Sequence, residues 1–309
     1  MNITAAMVKE LREMSGAGMM DCKKALTKTD GDMDKAVEFL RENGLAKAEK
    51  KAGRIAAEGI VKIDISDDKK SAAIVEVNSE TDFVAKNDTF QNYVAEVAAQ
   101  INAESPADLD AFLGSPWAKD SSKTVKEQLA SMVATIGENM NIRRFEKVNV
   151  EDGAVVGYIH AGGKIGVLVS AKVDQYSAEV EECLKNVCMQ VAAMNPKYLS
   201  SDDVSEEYKK KELEVLVAQA KNDPKNANKP ENIIEKMVTG RLNKELKEVC
   251  LTEQVYVKAE NKENVGQYVN SVAKAIGSDI TLKGFVRYET GEGLEKKNEN
   301  FAEEVMSQL

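Results

Sequence analysis

Side chains able to do covalent or metal chemistry are few and scattered in this chain. His160 is the single histidine among 309 residues, which excludes a His-rich metal site and leaves one candidate imidazole base. It lies in Tyr158-Ile159-His160-Ala161-Gly162-Gly163-Lys164, inside a predicted hairpin. Gly162-Gly163-Lys164 has a superficial likeness to a phosphate loop. It lacks the upstream glycine, the Ser/Thr after the lysine and the following helix, so it reads as a hairpin turn. Asp67-Asp68 and Asp202-Asp203 sit in turn or cap contexts with no metal-ligand spacing and read as solvated. No G-x-S-x-G elbow occurs. Cys22, Cys183, Cys188 and Cys250 lack C-x-x-C spacing and read as reduced thiols of a cytosolic protein. The expectation is a protein with no catalytic residues, no metal and no cofactor of its own. The informative residue is Phe83, an aromatic in Thr81-Asp82-Phe83-Val84-Ala85-Lys86-Asn87. That segment joins a predicted buried strand, Ala73–Val77, to a predicted helix, Phe90–Ile101. Connections run over the surface, so the ring either tucks back into its own core or is displayed to a partner.

The bulk composition narrows the partner class. A formal charge of −10 argues against a dedicated nucleic-acid binder, which would carry a basic face, and suits a protein that meets other proteins. No apolar run approaches the roughly 18 to 20 residues of a membrane span, and Met1-Asn2-Ile3-Thr4 enters a helical pattern without a predicted secretory signal. Charged residues at 30% and aromatics at 5% predict much helix and a core poor in rings, so any displayed ring carries information.

The elements that must position Phe83 follow from periodicity. Residues 1–45 predict three short helices: Met7, Leu11 and Met14 mark the first, Met19, Met20, Cys22 and Leu26 the second, and Met33, Ala36, Val37 and Leu40 the third. Ser15–Gly18 breaks the first, Asp32 is a candidate N-cap and Gly44 a candidate C′ residue. So small a bundle needs a partner or neighbour to lean on. Residues 46–57 are helical in propensity, basic and poor in large apolar groups, which is linker composition. Two units then share a pattern of strand, turn, strand, connection and helix. One opens at Glu58-Gly59-Ile60-Val61 and the other at Asp152-Gly153-Ala154-Val155, and each reaches its second strand at the same distance past its glycine. This predicts a duplicated α+β core. Only the first unit carries Thr-Asp-Phe-Val; the second has Val173-Asp174-Gln175-Tyr176 there. Ser122–Ile136 predicts a helix between the units. Asp203–Asn222 and Glu231–Leu251 predict an antiparallel helical hairpin, with Tyr208, Leu213, Leu216, Val217 and Ala220 facing Ile234, Met237, Leu242 and Leu246. Strands at Gln254–Val257 and Ile280–Tyr288, a helix at Val265–Ile276 and a short helix at Phe301–Met306 complete the reading.

Five long segments carry a family resemblance. Met7–Leu26, Thr81–Asn87, Ile136–Arg144, Gly163–Val169 and Phe285–Gly293 are similar, in order and along nearly the whole chain, to the elongation factor Ts family. The resemblance implies an α+β fold with a ubiquitin-associated-like helical domain over 1–45, a linker over 46–57 and a core subdomain over 58–150. A second core subdomain would span 151–200 and 252–293, a dimerisation or docking hairpin 201–251, and a C-terminal module 294–309. The implied function is guanine-nucleotide exchange on elongation factor Tu, in the cytoplasm, with no direct nucleic-acid or membrane partner and with a possible homodimer through 201–251. Carried over by motif, Phe83 would wedge between helices of the partner's GTPase domain near its Mg²⁺ site, as part of the contact segment Thr81, Asp82, Phe83 and Val84. Arg12, Met19 and Met20 match positions that set the N-terminal domain against a helix of that GTPase domain, and His160 matches a position near the partner. By themselves Arg12 also fits a solvated charge, Met20 an ordinary core methionine and His160 a structural histidine. A non-catalytic adaptor, tethering partners through its helical domain and arm, is the alternative reading.

Overall fold

The computed structural model of the chain describes residues 3–226 and 229–295. It is a mixture of helix and sheet in which the strands form two three-stranded antiparallel sheets, with a small two-stranded ribbon beside them. The N-terminal helices are α1 (Ala5–Ser15), α2 (Met19–Lys28) and α3 (Met33–Lys51). Thr4 and Asp32 cap α1 and α3 through side chains that accept from the Met7 and Lys35 amides. Their core is small: Val8, Leu11, Cys22, Ala25, Leu26 and Ala36. Met14, Met19 and Met20, which mark helical periodicity in the sequence, point outward instead.

Gly44 does not end α3, contrary to the sequence-based expectation. The helix runs through it to Lys51, so residues 46–51 of the expected linker continue α3, in keeping with their helical propensity. The reason lies outside the segment. α3 packs on α7 (Val125–Ile136) at Gly44, where the Ala130 carbonyl and the Ala134 side chain lie at van der Waals distance, so tertiary packing carries the helix past the glycine. Arg41 reinforces the contact by donating to both carboxylate oxygens of Glu127, and Lys47 pairs with Asp21 at 2.9 Å.

The first sheet has the order β1-β2-β5, from β1 (Glu58–Ile65), β2 (Ser71–Ser79) and β5 (Met140–Asn149). Between β2 and β5 lie α4 (Asp82–Ala85), α5 (Asp88–Glu104), α6 (Leu109–Gly114), β3 (Pro116–Trp117), β4 (Asp120–Thr124) and α7. The second sheet, β6-β7-β8, uses β6 (Ala154–His160), β7 (Ile165–Val173) and β8 (Ile280–Glu289). Between β7 and β8 come α8 (Ala178–Met194), the hairpin α9 (Glu206–Asn222) with α10 (Glu231–Val249), and α11 (Val265–Ile276). Alternation sorts the side chains of β2 into two faces. Ala73, Val75 and Val77 pack with Phe90, Val94, Val97 and Ile101 of α5. Ala72 and Ile74 face the other sheet, meeting Val155, Leu168 and Tyr288. The two sheets thus pack face to face, with α5 outside one and α8 outside the other. Glycines permit the approach: a Cβ at Gly166 would stand 2.4 Å from Val61 Cγ1.

Three further expectations are corrected. Gln254–Val257 is not a strand: only Val255 forms a bridge, with Asn264. Instead the buried Gln190 amide on α8 donates to the Val255 carbonyl and accepts from the Val257 amide, so one side chain supplies what a neighbouring strand would. In the helical hairpin Val238, not Met237, completes the buried face, because Ile234, Val238, Leu242 and Leu246 recur every fourth residue. The helix expected from Ser122 begins at Val125, since Asp120–Thr124 pairs as β4 with Pro116 and Trp117. The expected helix Phe301–Met306 lies outside the described residues.

The joint between the sheets is sealed by a charge. Glu76 in β2 shares the face of Ile74 and is wholly buried. A bulge pairs Glu76 with Arg144 and Val77 with Ile142, leaving Arg143 as the extra residue of β5. Two consecutive arginines therefore reach one carboxylate: Arg143 Nη1 at 3.0 Å and Arg144 Nε at 2.6 Å. The Asn78 amide donates at 3.0 Å, and the Gly291 backbone N–H, just past β8, at 2.8 Å. Burial pushes the Glu76 carboxyl up, but the Gly291 N–H, the Asn78 amide and the two guanidiniums outweigh it and hold the group below its ordinary value.

A native value below the unfolded one gives stability that is present above pH 4.5, the ordinary glutamate pKa, and is lost as pH falls through the lowered native value. Glu76→Gln should cost about 3 kcal/mol at neutral pH, because it leaves two guanidiniums facing each other without their anion. In urea titrations from pH 7 to 2, the gap between wild type and variant should be constant above pH 4.5 and close below it. Gly166→Ala should cost about 1–3 kcal/mol at any of these pH values, because the Val61 side chain must move.

Candidate functional site

The turn after β2 is built to hold its backbone still and put one ring outside. Thr81 caps α4, its hydroxyl accepting from the Val84 amide at 3.4 Å, and Lys86 closes the turn onto the Asp82 and Phe83 carbonyls. Asn87 then caps α5 by accepting from the Thr89 and Phe90 amides. Successive residues of a helix are about 100° apart, so one turn cannot bury all its side chains on one wall. Ala85 is buried and Val84 packs against the core of the first sheet, which turns Phe83 outward. Phe83 is 81% exposed, more than any other large hydrophobic among the described residues. Phe90, one element later, is fully buried.

Acidic side chains fasten this turn to the start of β5. Glu138 accepts from the Thr81 hydroxyl at 2.7 Å and from the Thr81 backbone N–H at 3.0 Å. Glu80 reciprocates, accepting from the Asn139 backbone N–H at 2.6 Å. Asn139 also donates its side-chain amide to the Arg54 carbonyl at 2.8 Å, and so holds the chain leaving α3. Glu138 and Asn139 lie inside the Ile136–Arg144 segment that carries the family resemblance, but nothing in the sequence gives them, or Glu80, this role. Glu138 is far from Thr81 along the chain, and no local pattern announces a carboxylate that caps across a sheet.

Asp82 pairs with Lys86 at 2.6 Å, and that hydrogen bond, with the nearby charge of Lys164, holds its carboxyl below the usual range. Lys164 in turn pairs with Glu58. The β6–β7 turn therefore lies beside the Thr81–Val84 turn, and Gly163 rests so close to Ile60 that a Cβ there would stand 2.8 Å away. His160 ends β6 exposed, with Nδ1 2.9 Å from the Tyr158 hydroxyl. Arg12, Met19 and Met20 form a separate exposed group around the α1–α2 turn, Met20 at 75%. The C-terminal end of α7 lies between the two groups. Thr135 Oγ1 is 3.5 Å from the Gly16 carbonyl, and Glu138 is bound to Thr81. Among the described residues no three His, Cys, Asp or Glu side chains converge on a metal site, and no helix is long and apolar enough to cross a membrane.

The sequence model of the family described as Elongation factor TS matches residues 80–292, from the Glu80 clamp to the segment that meets Glu76. The elongation factor Ts of Clostridioides difficile (strain 630) is 56% identical over 308 residues, covering 100% of this chain and 99% of its own. Those of Clostridium novyi (strain NT) and Clostridium perfringens (strain 13) are 53% identical over 307 residues and 52% over 303. The chain belongs to the elongation factor Ts family. It is thus a translation elongation factor, and the exposed turn belongs to the matched part of an elongation factor Ts.

Removing the exposed ring should leave the fold alone. Phe83→Ala should change the melting temperature by less than about 2 °C, as surface substitutions do. Phe90→Ala, which empties the core beneath the same turn, should cost about 3–5 kcal/mol. Differential scanning calorimetry of the two variants separates them.

Proposed function

We propose that this chain is a guanine-nucleotide exchange factor for elongation factor Tu, acting in the cytoplasm and doing no covalent chemistry itself. The observation that carries the proposal is the Phe83 ring, held outside the core by a doubly capped turn whose own backbone is fastened at both ends. An apolar ring of this kind lowers its free energy by entering a partner. Inserted between packed helices near the Mg²⁺ site of the GTPase, it shifts a two-state arrangement. Mg²⁺ offsets phosphate charge, so its displacement weakens the hold on GDP and lets GTP follow. Factor and nucleotide then weaken each other's binding by the same ratio.

The energetics require more than the ring. Accelerating GDP release a thousandfold takes about 4 kcal/mol of barrier lowering. Burying one phenylalanine supplies about 2 kcal/mol. Asp82 and Val84 beside it, Arg12, Met19 and Met20 on the N-terminal helices, and His160 on the β6–β7 turn are the further contacts we assign to the partner. The exposed side chains of Met19 and Met20 support this, since a small core that wanted them would have buried them. Val215 and Ile233 lie exposed on α9 and α10 and would be covered if two copies paired through 201–251.

Release of a fluorescent GDP analogue from elongation factor Tu tests the reading. Catalytic amounts of the protein should accelerate it, and Phe83→Ala should lower the rate about tenfold to thirtyfold, the share of one buried ring. Binding without acceleration would favour an adaptor that tethers its partners.

A further inference from the structure

We infer that Glu138 is a positioning residue for exchange: its carboxylate fixes the backbone on which Phe83 is mounted. The inference rests on the exchange reading above and extends it to a residue that touches no partner. α4 is a single turn, too short to hold its shape unaided. Val84 and Ala85 anchor it from below, but nothing on Phe83 itself restrains it. Ser79 Oγ donates to the Thr81 carbonyl and the Gln91 amide to the Ala85 carbonyl, and the remaining restraint comes from the segment that leads into β5. β2 ends at Ser79, paired with Met140 at the start of β5, which sets residues 80 and 81 opposite 138 and 139. There the ladder continues through side chains. Each backbone N–H, of Thr81 and of Asn139, is taken by a glutamate of the opposite segment, Glu138 and Glu80. Glu138 also accepts from the Thr81 hydroxyl, which leaves that oxygen's lone pairs aimed at the Val84 amide as the cap of α4.

Charge-assisted hydrogen bonds of this kind are the stronger class, and here they order a turn before the partner arrives. A ring on a loose turn would lose conformational freedom on insertion, and that loss would be subtracted from its effect. The expected signature is a change in how fast GDP leaves the complex rather than in how readily the complex forms, because the other contact groups are untouched.

The experiment titrates wild type, Glu138→Ala, Glu138→Gln, Thr81→Val and the double variant Glu138→Ala/Thr81→Val against elongation factor Tu carrying a fluorescent GDP analogue. Glu138→Ala, which removes both bonds to Thr81, should lower the maximal release rate at least about tenfold, the scale of one charge-assisted hydrogen bond or more, and move the half-saturating concentration less than about twofold. Glu138→Gln should recover most of the rate, because its amide oxygen still accepts from the Thr81 N–H and its NH₂ can donate to the Thr81 hydroxyl. Thr81→Val, which removes the α4 cap as well as the hydroxyl bond to Glu138, should also lower the rate, and the double variant should lose less than the product of the two single effects, as for residues that share a contact. In the protein without its partner, deuterium uptake over 81–87 should quicken in Glu138→Ala while uptake in α5 and β2 stays as in wild type.

A wild-type rate in Glu138→Ala, or unchanged uptake over 81–87, overturns the inference. So does a loss of protection spread across the molecule, which would make Glu138 a general stabiliser. A wild-type protein that fails to speed release removes the exchange reading, and the uptake measurement then still decides whether Glu138 holds the turn.

Discussion

Burying Glu76 is the constraint around which the two sheets are assembled. A carboxylate taken out of water costs several kcal/mol unless its lone pairs are met, and the groups that meet this one come from three separate parts of the chain. Asn78 is its neighbour on β2, Arg143 and Arg144 come from β5, and the Gly291 N–H from beyond β8. Those donors cannot gather unless β5 carries its bulge and β8 ends beside β2. Arg144 ties the arrangement down further, donating to the Glu289 carbonyl and lying 4.3 Å over the Tyr288 ring. Apolar contacts carry no direction of their own and by themselves tolerate small slips. The carboxylate and the close glycine contacts at Gly163 and Gly166 do not, so together they hold one relation between the sheets.

That fixed relation sets what the surface can present. The Thr81–Val84 turn hangs from the first sheet and the His160–Lys164 turn from the second, yet Lys164 reaches Glu58 and its charge is felt at Asp82. The two turns form one neighbourhood only because the sheets are locked. The N-terminal helices join it differently, through α3 packed on α7 and through Asn139, which grips the chain where it leaves α3. The end of α7 is thus a crossroads: within five residues it touches the α1–α2 turn, the Phe83 turn and the chain between α3 and β1.

The proposed site resembles an interface more than an active site in its energetics. The Asp82 carboxyl of the exposed turn is held below its usual range by a lysine on its own turn. What the fold supplies is rigidity behind an exposed ring. The core stops at Ala85 and Phe90, the caps and glutamates hold the backbone, and the ring is left outside.

Local elements were legible because their signals are local. Asp32 caps α3 within its own first turn, the apolar periodicity of α5, α8 and α11 needs no partner to be seen, and Val265–Ile276 is a helix in both readings. Where the sequence misled, a distant group had replaced a local rule. Gly44 reads as a helix stop until α7 lies against it; Gln254–Val257 reads as a strand until Gln190 takes its hydrogen bonds. The charge of Glu76 inside an apolar run was visible, but its meaning needed Arg143, Arg144 and Gly291, which only the tertiary structure brings together. By itself the sequence determined the family, the α+β composition and the oddity of a phenylalanine on a connection. Whether that ring was core or displayed was left to the tertiary structure, because display depends on which side chains of one short turn the sheet beneath can bury, and on a glutamate across the sheet that no spacing in the sequence could have paired with it.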